Sequence, residues 1–597
     1  MDLHPEGTRG WWRMMLGLAA ALFAAGCEAE GGKAAAGPSV TAVAVGDGAG
    51  ESTIMAKDEG VFPSAAGYYL AGRAAEAKGD RAAAASFMAH ALRSDPSNVD
   101  LLREAFELAL SEGRMAEARD LAERLVALRP DNQMANMLLA LEDARSERWP
   151  SAQARLRALP KAGLTGVTGP MIEAWVLAGE GKTDDALHAL DRIENLRGFA
   201  VLRNFHAAYI NDLAGRKAAA EANYAASLKG EPSPSFRVSE AFANFYARQD
   251  RTQEALALFA QFKTDNADTV RVDETVKALR SGAKPAPHVK SAADGLAEAM
   301  FDLASAVRQE TGGRLSVQFL RLALLMEPEL TVARLTLADA LAADQRDAEA
   351  LALYRGIKPE TPLYFSARLR IAEVLREMNK LDDAVKELER LASEWSNRPE
   401  PLATEGDFLR SADRFNDAVK AYDGAIARVS KVASNDWSLF YARGVALERS
   451  GQWPRAESDF LEALRLSPDQ ASVLNYLGYS WVDRGENLEK AREMIERAVA
   501  LRPNDGYIVD SLGWVLYREG EYEGAVDHLE RAVELRPDDP VINDHLGDAY
   551  WRVGRRDEAR FQWRRALTLK PEADLVTQIG AKLEHGLKAG KTSERDS

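Results

Sequence analysis

Apolar positions along this chain recur with a period of about 34 residues, and each period holds two stretches of helical spacing separated by a turn. The period is plainest towards the C-terminus. Counting from Pro540, Leu546 and Gly547 stand at positions 7 and 8, Tyr550 at 11, Gly554 at 15, Ala559 at 20, Trp563 at 24, Ala566 at 27 and Pro571 at 32. The segment from Gly506 repeats this with Leu512, Gly513, Leu516, Gly520, Ala525, Leu529, Ala532 and Pro537. From Ala471 the chain gives Leu477, Gly478, Trp481, Gly485 and, after one inserted residue, Ala491, Ile495, Ala498 and Pro503; from Trp437 it gives Phe440, Gly444, Leu447, Gly451, Ala456, Phe460, Ala463 and Pro468. Small residues at 8 and 20 let two helices approach closely, the larger residue at 24 packs into the next period, and proline at 32 ends the second helix. The same register runs backwards to starts near 65, 99, 133, 167, 201, 236, 297, 331, 365 and 399, with Ala118, Ala186, Ala255 and Ala384 among its anchors.

These positions resemble the tetratricopeptide repeat (TPR). The resemblance implies an all-α fold, a right-handed α-solenoid of helix-turn-helix repeats that binds other proteins and is not an enzyme. Residues near 270–296, with Gly282, Pro285 and Pro287, interrupt the pattern. They are expected as a linker between two arms, an N-terminal array at 65–269 and a C-terminal array at 297–571. Leu575, Ile579 and Leu583 then mark one face of a capping helix at 572–590, such as a repeat stack needs to cover its last apolar face. A disordered tail is expected at 591–597.

Composition narrows the class. The chain has 597 residues, 46% hydrophobic and 28% charged, which suits an ordered protein too long for one core. Its formal charge of −16 argues against nucleic acid, whose phosphates need a basic face. The single cysteine, Cys27, excludes an internal disulfide and a thiolate metal cluster. Arg9 and Arg13 precede an apolar run from Met14 to Phe23, and Ala24-Ala25-Gly26-Cys27 follows. This reads as a signal peptide over 1–26, and its end resembles a bacterial lipobox, which implies a lipoprotein acylated at Cys27 by chains such as palmitate. A flexible lipidated tether is expected over 27–64. Glu28 after the cysteine implies the periplasmic face of the outer membrane; the outer face of the inner membrane and the soluble periplasm are the alternatives.

No chemistry-bearing motif emerges. Gly181-Lys182-Thr183 lacks the first glycine of a phosphate loop, and Gly586 stands one residue too close to Gly590-Lys591-Thr592. The eight histidines have no metal-ligand spacing, His528 and His545 read as surface residues, and no Gly-x-Ser-x-Gly occurs. No cofactor, metal or catalytic residue is assigned.

In a TPR stack the first helix of each pair lines the concave groove, with positions 2, 5, 9 and 12 facing inward. In the last repeats these are Asn475, Tyr479, Tyr507, Asp510, Trp514, Tyr517, Asp544, Asp548 and Trp551, with Arg518 and Arg552 beside them. Aromatic rings mixed with amides and carboxylates suit an extended peptide or a helix. The stretches Asp510-Ser511-Leu512-Gly513-Trp514 and His545-Leu546-Gly547-Asp548-Ala549-Tyr550-Trp551, with Arg555, Glu558 and Ala559, resemble large proteobacterial TPR lipoproteins. Some of those are adaptors of carboxyl-terminal processing proteases. The resemblance implies a membrane-anchored adaptor whose partners are such a protease and cell-wall hydrolases; an assembly factor for envelope polymer export or outer-membrane protein biogenesis is the alternative.

Overall fold

The computed structural model describes residues 64–587, apart from 158, 161–163, 195, 197–198, 230–234, 266–269, 283 and 308–312. The signal peptide, Cys27, the tether up to residue 63 and the tail at 591–597 lie outside the described residues. Among the described residues there are 30 α-helices and no strand. In chain order they are α1 (Ala65–Ala77), α2 (Arg81–Ser94), α3 (Val99–Ser111), α4 (Met115–Leu128), α5 (Gln133–Arg145), α6 (Trp149–Arg157), α7 (Leu164–Gly179), α8 (Thr183–Glu194), α9 (Ala200–Leu213), α10 (Lys217–Lys229), α11 (Phe236–Arg248), α12 (Thr252–Asp265), α13 (Val270–Arg280), α14 (Ala292–Val307) and α15 (Arg314–Met326). There follow α16 (Thr331–Ala343), α17 (Asp347–Arg355), α18 (Tyr364–Glu377), α19 (Leu381–Glu394), α20 (Glu400–Ser411), α21 (Phe415–Arg428), α22 (Trp437–Arg449), α23 (Trp453–Leu466), α24 (Ala471–Arg484), α25 (Leu488–Leu501), α26 (Gly506–Glu519), α27 (Tyr522–Leu535), α28 (Pro540–Arg552), α29 (Arg556–Thr568) and α30 (Ala573–His585). Each of the fourteen expected starts opens a helix pair within about five residues.

Local chemistry sets the boundaries. Side chains of Asn98, Asn132, Ser235, Asp505 and Asp539 accept hydrogen bonds from the first free amides of α3, α5, α11, α26 and α28. The glycines at position 15 take positive φ where the first helix of a pair ends, Gly485 at 71° and Gly520 at 86°. Position 8 needs a small residue for closeness: a Cβ on Gly547 would stand 2.5 Å from the Trp563 indole. Trp563 itself is wholly buried, as are Ala559 and Ala566 at positions 20 and 27.

Two compact units result, one ending at Val374 and one beginning at Leu375, so the division falls inside α18. Residues 270–296, expected as a linker, lie within the first of these units. Residues 270–280 are helical, and after the prolines α14 and α15 turn back onto the first unit. There α14 packs on α5, α7 and α9, and α15 on α3 and α5. All four of these are first helices of their pairs, so the hairpin fills the inner face of that array. A Cβ on Gly295 of α14 would stand 2.2 Å from the Trp175 ring of α7, a contact only glycine permits. Gln318 of α15 donates through Nε2 to Ser111 Oγ at 3.2 Å and the Glu107 carbonyl at 3.3 Å on α3. Prolines break a helix whether the chain runs on or doubles back, and here it doubles back.

In the second unit α19–α29 stack around one continuous apolar core that includes Tyr422, Phe460, Ile495, Leu529 and Trp563, and Ile579 of α30 closes it.

Candidate partner-binding face

The inner face of the second unit is built from α24, α26 and α28, because helical spacing turns positions 5, 9 and 12 of each to one side. Its centre is a ring stack. Trp514 lies parallel to His545 with centroids 4.1 Å apart and an interplanar angle of 16°, and parallel to Tyr517 at 4.8 Å and 9°. Tyr517 Oη accepts from Arg552 Nε at 3.1 Å. His545, expected at the surface, is instead buried: it is 7% exposed, and its Nδ1 lies 3.0 and 3.1 Å from the two carboxylate oxygens of Asp510. Burial works against an imidazolium here, but the charge and hydrogen bond of Asp510 outweigh it and raise the His545 pKa. Nothing in the sequence marks a histidine whose partner stands 35 residues upstream.

That raised pKa gives a signed expectation. The folded value lies above the ordinary 6.5, so the pair's stabilisation is complete below that pH and is lost as pH rises through the folded value. The melting temperature of the second unit should fall over that interval, and His545→Gln should flatten the profile. An unchanged profile in His545→Gln would show that the pair is not responsible.

The predicted stripe is only partly open. Tyr479 is half-buried, and burial together with the Asp510 and Asp483 charges pushes its phenol up to about 12. Asn475 is half-buried, and its Oδ1 has no hydrogen-bond partner. Tyr507 is 46% exposed and lies against the Arg536 guanidinium, outside the ring stack. Asp510 is turned inward to His545. In the last repeat Asp544 and Asp548 are buried and both bind Lys582 of α30, with Nζ at 2.7 and 2.8 Å from their Oδ2 atoms. Asp548 also accepts from Trp563 Nε1 at 2.9 Å. Gly586, just past α30, lies so close to Trp551 that a Cβ would stand 2.0 Å from the indole. Positions 5, 9 and 12 of this repeat are therefore covered by the protein's own last helix. Lys582 follows Ile579 by three residues and shares its face, so the side that closes the core also brings the ammonium to these carboxylates.

The TPR repeat description matches residues 513–554, and the tetratricopeptide repeat description matches 75–142, 366–397, 403–471 and 441–506. The chain carries tetratricopeptide repeats. The TPR repeat-containing protein of Pseudomonas aeruginosa is 32% identical over 187 residues, which are 31% of this chain and 31% of that relative. Among solved structures, the Cut9–Hcn1 hetero-tetramer matches 87% of this chain and 96% of its own at 14% identity with a TM-score of 0.35. YrrB, described as a TPR protein with an unusual peptide-binding site, matches 32% of this chain and 97% of its own at 21% identity with a TM-score of 0.26. The TPR pairs are those read from the period, and the inner face is where their first helices converge. Among the described residues no three or more His, Cys, Asp or Glu side chains are grouped to hold a metal ion. Nor is any described helix long and apolar enough to cross a membrane.

Proposed function

We propose that this protein is a non-catalytic scaffold, tethered to the cell envelope through Cys27, that binds partner proteins on the inner face of its C-terminal TPR unit. The observation that carries this is a contrast between two inner faces. That of the first unit is filled by α14 and α15, whereas in the second the row Asn475, Tyr479, Trp514 and Tyr517 is only partly buried, with ring edges left accessible. A half-exposed aromatic row flanked by Arg552 is the composition of an interface hot spot. The adaptor resemblance supports a processing protease as the partner, with cell-wall hydrolases presented to it.

The test is affinity capture from native membranes with full-length protein. A PDZ-containing serine protease should be recovered, and replacing Tyr479, Trp514 and Tyr517 together by alanine should cut recovery at least about tenfold. Circular dichroism on the same variant separates lost binding from lost folding. Unchanged recovery by a folded variant sinks the assignment of this face. Cys27→Ser should move the protein from the membrane to the soluble fraction.

A further inference from the structure

The last TPR of the second unit presents an arrangement of its own. Asp544 and Asp548, one helical turn apart on α28, are both buried and share the single ammonium of Lys582. The second oxygen of Asp544, Oδ1, is buried and has no hydrogen-bond partner, although the carboxyl side chain is only 6% exposed. The site thus accepts more than its present occupant gives. The occupant is also held lightly: of the thirteen residues of α30 only Ile579 is fully buried, while Val576 is 43% exposed. These carboxylates occupy the inward positions that continue the row through Asp510 and Trp514, so α30 sits on the end of the groove that partners are proposed to use.

We infer that Asp544 and Asp548 form a lysine-reading subsite, filled in the free protein by Lys582 and taken over on binding by a lysine-bearing amphipathic helix of the partner. This inference rests on the reading of the inner face as partner-binding. Helix α30 is then an internal ligand whose pattern, Ile579, Lys582 and Leu583 on one face, describes what the subsite accepts. A tethered occupant lowers apparent affinity by the fraction of time it holds the site.

The probe is a fluorescently labelled synthetic peptide with the sequence of residues 572–587, titrated into the full-length protein. Lys582→Gln in the protein should empty the subsite and tighten peptide binding roughly tenfold relative to the unsubstituted chain. A peptide in which the lysine is replaced by glutamine should not bind. Leu583→Ala, which loosens α30 without touching the ammonium, should give an intermediate gain and serves if the first variant does not fold. Equal binding of the lysine and glutamine peptides, or no binding to either variant, overturns the inference. Protease capture through Trp514 is a separate readout, so loss of the subsite and loss of the partner-binding reading are told apart.

Discussion

Replacing Trp175 by alanine is expected to destabilise the first unit by about 3–5 kcal/mol and to release α14 from the inner face it fills. The indole is wholly buried, and its loss empties the space that Gly295 shapes from the other side. Packing is only half of the effect. Trp175 Nε1 donates to His206 Nδ1 at 3.0 Å, and His206 Nε2 faces Asp302 of α14 at 3.1 Å. An indole N–H can only donate, so Nδ1 must be the accepting nitrogen and the proton sits on Nε2, donating to Asp302. The indole thereby fixes the tautomer that ties α9 to α14. Trp175→Phe, which keeps much of the volume and removes the donor, should cost about 1–3 kcal/mol and isolate that part. Urea unfolding gives the totals, and amide exchange in α14 and α15 tests the release. Protection of those amides unchanged in Trp175→Ala would show that the hairpin is held by other contacts.

What the period could reveal, and what it could not, follows from the range of the interactions. Gly513 with Leu529, or Gly547 with Trp563, lie sixteen residues apart within one pair, and Gly444 with Phe460 and Gly406 with Tyr422 repeat the spacing, so repetition exposes it. The docking of α14 occurs once. Gly295 looks like any helical glycine until Trp175, far upstream, is laid against it, and Pro285 and Pro287 read as a linker because proline reports only that a helix has stopped. The groove stripe was legible as a set of inward positions. That Asp544, Asp548 and Trp551 are covered was not, because a capping helix was expected to close the apolar end of the stack and not to place an ammonium on the inner face.

Arg237→Ala should be as damaging as the loss of Trp175, for an electrostatic reason. Glu298 of α14 is 2% exposed and takes a two-pronged hydrogen bond from Arg237 of α11, with Nε 3.0 Å from Oε2 and the second prong between Nη2 and Oε1. Burial already lifts the Glu298 pKa above the ordinary carboxylate value, even with the guanidinium against it. Without Arg237 the carboxylate is stranded, and removing one partner of a buried pair costs about 3–5 kcal/mol. The sign with pH follows. A carboxyl whose folded pKa is raised loses stability as pH climbs from its unfolded value through the folded one, so the deficit of Arg237→Ala should shrink as pH falls towards about 4.5 and grow above it. Replacing both residues by apolar ones, Arg237→Met with Glu298→Leu, should recover most of the loss, since a buried pair and a well-packed apolar substitute are often close in stability. The double-mutant cycle then reads the coupling directly. If the double variant is as unstable as Arg237→Ala, the pair holds α14 by shape and not by charge; if it recovers, the ion pair's contribution is to specify where the hairpin docks, with Glu298 unable to settle anywhere that lacks a guanidinium.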